Sequence, residues 1–335
     1  MTHAVRAFAP ASVANIACGF DILGLALQTN RDGGTSLGDV VTATRADRTT
    51  DPRGRDPVTI AAITGDGGRL PLEAERNSAA VAANALLRGE APEVRVTLEI
   101  EKRMPLESGL GSSAASAVAA VVALDALLGL DLPKTALLRY SLAGEILVSG
   151  DAHADNLAPS LIGGLILVRS LEPTPDIVEL PVPPGLTCAL ARPHVSVNTR
   201  AARSVLGPHL PLRRAVEQWG NCAALIAALY REDLELLSRS LVDVVAEPAR
   251  APAVPGFFAA KAAALQAGAL GCSLSGSGPA LFALCDGIDC ARAVTDAMAA
   301  ELEDAGDTEC DRLVSSLPAP GARVIEDDPA PAAAS

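Results

Sequence analysis

The sequence predicts a mixed helix-and-strand protein of two domains that share a cleft. The first observation behind this is length: 335 residues exceed what one compact core usually organises, and such a chain can bury a large apolar interior. The second is the alternation, in both halves, of β-type segments with long helix-type segments. The third is a proline-rich stretch near the middle, EPTPDIVELPVPPG, which reads as a passage from one domain to the other. Hydrophobic residues make up 49% and charged ones 20%, as in a globular protein, but aromatics are only 2%, so the core has to be built from Ala, Val and Leu.

Taken in order, AVRAFAPA reads as a strand and SVANIACGFDILG as a loop of small and polar residues. Residues 45–57, polar and broken by Pro and Gly, read as a surface excursion. NSAAVAANALL starts on an asparagine suited to a helix N-cap, and VRVTLEI alternates apolar and polar residues like a half-buried strand. Residues 113–128 carry Asp125 as their only charge and are apolar on every side, so that helix belongs at the centre of a domain. TALLRYSLAGEILVSG follows Pro133 as another helix, and SLIGGLILVRS reads as a strand. Past the proline-rich passage, TCALARP and CSLSGSGPALFALC read as strands, and LRRAVEQWGNCAALIAALYRED and CARAVTDAMAAELEDAG as helices. The expected division is an N-terminal domain at 1–170, a C-terminal domain at 171–322 and a low-complexity, disordered tail at 323–335.

Charge and cysteine usage narrow the function classes. Forty acids against 27 basic residues give a net charge of -13, which repels a phosphate backbone, and no basic patch offsets it; nucleic acid is not an expected partner. MTHAVRAFAPASVANIACGFD lacks the basic region and apolar core of an export signal, and no apolar run is long enough to span a bilayer. The expectation is a soluble cytoplasmic protein with no membrane partner. Seven cysteines, with no CxxC pair and no histidine at zinc spacing, read as reduced thiols.

The stretch that carries chemistry is MPLESGLGSSAASAVAA. Gly109, Gly111 and Ala114 fit the spacing of a dinucleotide fingerprint, but EKRMPLE separates the preceding strand from the turn and more helix follows, so the context fails. A GxxxxGK[ST] loop is excluded because no lysine follows Gly111. What remains is an anion site: a glycine-rich turn at a helix N-terminus aims free N–H groups and a helix dipole at phosphate oxygens. Ser112 and Ser113 add hydroxyls for phosphate or a hard cation, and a serine-capped buried helix is the plainer alternative.

Two other stretches decide between these. PASVANIACGFDILGLAL, the glycine turn and GALGCSLSGSGPALFAL together resemble the three motifs of the GHMP kinases. With HADN, VNTRAARSVL and EPARAPAVPGF between them, the order and spacing resemble the homoserine kinase family from about Val5 to about Val314. The resemblance implies an α+β fold of two domains, an N-terminal one like ribosomal protein S5 domain 2 that binds ATP and a ferredoxin-like C-terminal one. It implies transfer of the γ-phosphoryl of ATP to the hydroxyl of L-homoserine, with Mg2+, on the way to threonine. A homodimer is common in the family.

The same resemblance assigns residues. Pro105, Leu106, Glu107, Ser108, Gly109, Leu110, Gly111, Ser112, Ser113, Ala114 and Ala115 match the loop around the triphosphate, and Asn77 a position near the adenine. Ser113 and Glu145 match magnesium ligands, although Glu145 alone would read as a solvated helix acid. Asn15, Asp21, His153, Asn156, Thr199, Arg203 and Arg250 match substrate contacts, the two arginines facing a carboxylate. Gly276, Ser277 and Gly278 form the third motif. No catalytic base is assigned; Asp155 lies where some relatives carry one, and a loose transition state needs little activation of the nucleophile. Two departures stand out: Cys18 replaces a usual proline, which predicts mild thiol sensitivity, and Glu107 replaces a small residue. Glu107 is expected to face solvent or to pair with Lys102 or Arg103.

Overall fold

The computed structural model of the chain describes residues 4–29, 36–46, 57–197, 199–207 and 209–325. The first half runs β1 (Ala4–Pro10), β2 (Ser12–Ala14), β3 (Leu23–Ala26), β4 (Gly38–Arg45), β5 (Val58–Thr64), α1 (Ser78–Glu90), β6 (Val96–Glu101), α2 (Ser112–Leu128), α3 (Lys134–Ser149) and α4 (Leu157–Ile162). It continues with β7 (Leu165–Ser170) and β8 (Asp176–Leu180). The second half runs β9 (Leu186–Pro193), α5 (Thr199–Ser204), α6 (Leu212–Arg231), α7 (Leu234–Ser240), α8 (Glu247–Arg250), α9 (Phe257–Gln266), β10 (Gly271–Leu274), β11 (Leu281–Asp286), α10 (Ile288–Gly306), β12 (Cys310–Ser316) and β13 (Arg323–Ile325).

The first sheet has the order β13-β1-β4-β6-β5, with β5 and β6 parallel. In β6 the alternation is clean: Val96, Leu98 and Ile100 point inward and Glu99 outward. Helix α1 starts on Asn77, whose side chain accepts the Ala79 N–H, the cap the sequence leads one to expect. Helix α2 is buried on nearly every side, as its composition requires, and packs on β1 and β4 with α1 and α3 beside it. A second sheet, β2-β3-β7-β8, holds residues 15–22 as the connection between β2 and β3.

The third sheet, β10-β11-β9-β12, is sandwiched by helices, and the period of two in β9 serves both faces. Cys188 and Leu190 join Leu225, Leu229 and Leu237 of α6 and α7. Ala189 and Ala191 join Phe257 of α9 and Met298 of α10.

Several segments differ from expectation. SLIGGLILVRS is the end of α4 followed by β7, because Gly163 stops the helix. The proline-rich passage contains β8, which pairs with β7, so a division at 170/171 falls inside a hairpin rather than between domains. CSLSGSGPALFALC is a hairpin, β10 and β11, turning at the third glycine motif. In the tail, Arg323, Val324 and Ile325 are ordered as β13: they cover the outer edge of β1, and Arg323 stacks on the Phe8 ring at 4.8 Å. The remaining tail residues, 326–335, and residues 47–56 of the expected surface excursion lie outside the described residues.

Candidate active site

All three motifs meet at one cleft of about 460 Å3. Gly109 and Gly111 both adopt left-handed φ, 78° and 73°, which turns the chain so that α2 begins with its N-terminus open to the cleft. At Gly111 a Cβ would lie 2.3 Å from Ser12 Oγ and 2.9 Å from Asn156 Oδ1, two atoms that hydrogen-bond each other, so no side chain fits there. The third motif braces the same loop: Ser275 Oγ donates to Gly109 O at 2.6 Å and Ala280 N to Ser108 O at 3.2 Å. Ser112 Oγ, buried at the first turn of α2, has no hydrogen-bond partner among the described residues. A buried hydroxyl is seldom left unsatisfied, and an anion at the helix N-terminus would satisfy it.

Beneath the loop lies a charged network. Lys102 Nζ pairs with the Asp39 carboxylate and donates to Ser112 O and Ser116 Oγ, each at 2.8 Å. Asp39 also accepts from Ser116 Oγ at 2.6 Å and from the Arg103 N–H at 3.1 Å. Both ionised side chains are almost wholly buried, at 2% and 0% exposure, so each depends on the other. The alternation of β6 carries the signal for Lys102, since positions 96, 98 and 100 face inward and 102 is next in register. Beside the loop, Gly144 lets α3 close on the start of α1, where a Cβ would meet Ser78 O at 2.5 Å, and the next residue, Glu145, lines the cleft, as Ser113 does.

The far end of the cleft gathers charge from four segments. Arg203 of α5 donates to both oxygens of Asp21, at 2.9 and 2.7 Å. His153 Nδ1 stands 3.7 Å from Asp21 Oδ2. The Phe20 ring lies under two guanidinium groups, Arg203 at 5.1 Å and Arg250 at 5.2 Å. Arg250 is buried, donating to Ala202 O and Gly276 O, and burial pulls its guanidinium below the ordinary value. Asn15 donates to the same Gly276 O and accepts the Asp21 N–H. Asn15, Ile16 and Ala17 all have positive φ, 73°, 42° and 57°, a left-handed turn that non-glycine residues rarely make.

Asp155 lines the cleft beside the charges of Asp21 and Arg250. Burial, with the Asp21 charge adding to it, pushes its carboxyl up to about 7, while the backbone N–H groups of Asp155 and Asn156 pull the other way.

Comparison with known proteins fits this geometry. The family model for the GHMP kinases N terminal domain matches residues 77–164, and that for the GHMP kinases C terminal matches 225–304. A homoserine kinase of Chlorobium phaeovibrioides is 45% identical over 328 residues, covering 96% of this chain and 99% of that one. The chain belongs to the homoserine kinase family of GHMP kinases. The crystal structure of homoserine kinase from Cytophaga hutchinsonii superposes with a TM-score of 0.87 at 44% identity, over 97% of this chain and 98% of that one. The L. major mevalonate kinase, solved with R-mevalonate, matches with a TM-score of 0.65 at 15% identity, over 94% and 99% of the two chains, and shows the fold alone.

Within this family's cleft the structure brings together Asn15, Asp21, Asn77, Leu106, Glu107, Ser108, Gly109, Gly111, Ser112, Ser113, Ala114, Glu145, His153, Asp155, Asn156, Arg203, Arg250, Gly276 and Ser277. Leu110 and Ala115 are buried instead in the core behind the loop, and Pro105 and Gly278 support turns outside the cleft wall. Thr199 begins α5, but its side chain lies outside what is described. The Asn77 side chain is spent on Ala79 N–H and Pro71 O, so it shapes the loop at residues 69–71 by which the cleft is walled.

Of the two departures, Glu107 faces solvent, as expected, and accepts from Ser196 Oγ at 2.7 Å; it does not pair with Lys102, which is committed to Asp39, or with Arg103, which bonds Glu101. The expectation for Cys18 needs correction. Cys18 is buried, and contact with Cys222 together with burial pushes its thiol up. The same contact pulls the thiol of Cys222, half-buried on α6, below its ordinary value.

Proposed function

We propose that this chain transfers the γ-phosphoryl group of ATP to the side-chain hydroxyl of L-homoserine, giving O-phospho-L-homoserine. The observation that carries the reading is the pairing, in one cleft, of a glycine turn at a helix N-terminus with the Asp21, Arg203 and Arg250 cluster. One end suits a triphosphate and the other a zwitterion. Mevalonate has no ammonium group to match Asp21, which favours an amino acid within the superfamily.

In this reading the loop from Pro105 to Ala115 positions the triphosphate with its backbone N–H groups, and Ser112 Oγ takes a phosphate oxygen. Ser113 and Glu145 offer oxygen donors for Mg2+; no group of three His, Cys, Asp or Glu side chains able to hold a metal occurs among the described residues, which suits an ion that shares its shell with phosphates and water. The ion supplies neutralisation of charge on the transferring phosphoryl. Asp21 takes the ammonium, Arg203 and Arg250 the carboxylate, and His153, Asn156, Asn15 and Thr199 orient the hydroxyl. Arg203 and Asp21 hold each other until a zwitterion offers each a replacement partner, so neither charge is left bare. Asn77 keeps the adenine end in shape.

The hydroxyl proton leaves late, without a dedicated base, because a loose transition state needs little activation of the nucleophile. A second reading has one specific support: a carboxyl held at about 7 in the cleft wall, as Asp155 is, suits a general base. Asp155→Asn separates them. Retention of appreciable kcat supports the first; a fall of about a hundredfold or more in folded enzyme supports the base.

Among the described residues no helix is long and apolar enough to cross a membrane. The cytoplasm, where ATP is at hand, and a homodimer complete the reading, and sedimentation checks the latter. The deciding experiment is ADP release with Mg2+ and ATP, comparing L-homoserine, L-threonine, L-serine and mevalonate, with the product identified by mass. Stimulation by homoserine alone is expected. Arg250→Ala should raise the homoserine KM by about a hundredfold and leave that for ATP unchanged; no stimulation by homoserine overturns the assignment.

A further inference from the structure

The two halves of the amino-acid end are joined behind the cleft by a residue outside every motif. Gln218, buried on α6, has its whole amide engaged. Nε2 donates to Cys18 O at 2.8 Å and to Asp243 Oδ1 at 3.1 Å, and Oε1 accepts the Val244 N–H at 2.9 Å. Asp243 in turn receives four backbone bonds from the three N–H groups of Val245, Ala246 and Glu247, between 2.7 and 3.2 Å. Those residues lead into α8, which ends on Arg250.

On the other side, Cys18 follows the left-handed residues Asn15, Ile16 and Ala17 and precedes Phe20 and Asp21. A left-handed turn of non-glycine residues persists only where its surroundings hold it. Gly19 N closes it on Asn15 O at 2.8 Å, and Gln218 anchors it from outside. Neither Gln218 nor Asp243 lines the main cleft.

We propose that Gln218 and Asp243 are a positioning pair that fixes the separation of Asp21 from Arg250, and hence the fit of the amino-acid substrate. This rests on the reading above, in which those two residues grip the ammonium and carboxylate. Gln218 ties the strained turn that carries Asp21 to the capped turn that carries Arg250, so losing its bonds lets each end relax separately. The phosphate loop is braced by the third motif and by Lys102, so the nucleotide end stays in place.

The test compares Gln218→Met, which keeps volume and loses the bonds, with Asp243→Asn, their double variant and Arg250→Ala, measuring kcat and both KM values. Gln218→Met is expected to raise the homoserine KM about tenfold and keep the ATP KM within about twofold. Asp243→Asn, which puts an NH2 donor where Oδ2 accepts the Ala246 and Glu247 N–H groups, should act likewise, and the double variant should be less than additive, since both changes loosen one tether between the same two turns. Should Gln218→Met not fold, Asp243→Asn carries the test alone, with the same selective rise in homoserine KM expected. An unchanged homoserine KM, equal rises in both KM values, or strict additivity overturns the positioning pair while Arg250→Ala still loses homoserine. If Arg250→Ala leaves the homoserine KM unchanged, the substrate reading itself falls and this inference with it.

Discussion

The two ends of the cleft, which the proposed function gives to phosphate and to the amino acid, are built by opposite means. The phosphate end is made of backbone: one contiguous loop, two left-handed glycines and a helix N-terminus, stiffened from below by a buried ion pair. The amino-acid end is made of side chains from residues 15–21, 153–156, 203 and 250, placed by a left-handed turn that lacks glycine. Backbone N–H groups recognise phosphate whatever the neighbouring side chains, so one short stretch suffices. A zwitterion needs charges of both signs at fixed separation, which only tertiary structure supplies.

The largest expected effect tests whether buried charge really stiffens the phosphate end. Lys102→Met leaves Asp39 buried with Ser116 and the Arg103 N–H as its remaining donors. Removing one partner of such a pair costs about 3–5 kcal/mol, to be read by urea unfolding. A loss under about 1 kcal/mol would mean that the glycine turn stands without the ion pair.

The amino-acid end should instead carry an electrostatic cost. Asp155, held at about 7, binds its proton more tightly folded than unfolded. Stability therefore falls as pH rises from the ordinary carboxylate range to about 7, and levels off above it. Asp155→Asn should match the parent near pH 4 and exceed it at pH 8 by on the order of 4 kcal/mol. Parallel stability curves for the two proteins between pH 5 and 8 would show that the carboxyl is not strained by burial.

Gly111→Ala sharpens the contrast at the level of one methyl group. Its Cβ would displace the Ser12–Asn156 bond and strain a φ of 73°. A shift of that size in a loop that positions phosphates should lower kcat/KM for ATP on the order of a hundredfold. Equal activity in the folded variant would mean that the loop has slack, and that the backbone end is no stricter than the side-chain end.

Legibility follows the same division. The glycine turn, the Asn77 cap and the buried helix after Ser113 could be read directly, because spacing and composition set them locally. Asp21, Arg203 and Arg250 became readable through resemblance alone, since nothing local separates a substrate arginine from a surface one. Gln218 and Asp243 carried no signal: an amide on an amphipathic helix and an acid before a short turn look ordinary until the fold places them beside Cys18. The strand β8 was hidden by the prolines that flank it, and β13 by a low-complexity tail whose first residues cover an open edge.

The smallest effect concerns Glu107, the charged side chain of the loop from Pro105 to Ala115. Glu107 is a non-glycine residue at φ 54°, so glycine there relieves about 1 kcal/mol of backbone strain. The gain is offset by glycine's greater freedom in the unfolded chain, about 0.5–1 kcal/mol, and by loss of the exposed bond to Ser196. Stability of Glu107→Gly should therefore stay within about 1 kcal/mol of the parent. The carboxylate is exposed and turned to Ser196, where water and salt screen it from the phosphates, so the ATP KM should change less than about threefold. A tenfold or greater tightening would place that carboxylate against the triphosphate. The phosphate end would then be set by side-chain charge as well as by backbone, and the contrast between the two ends would lose its basis.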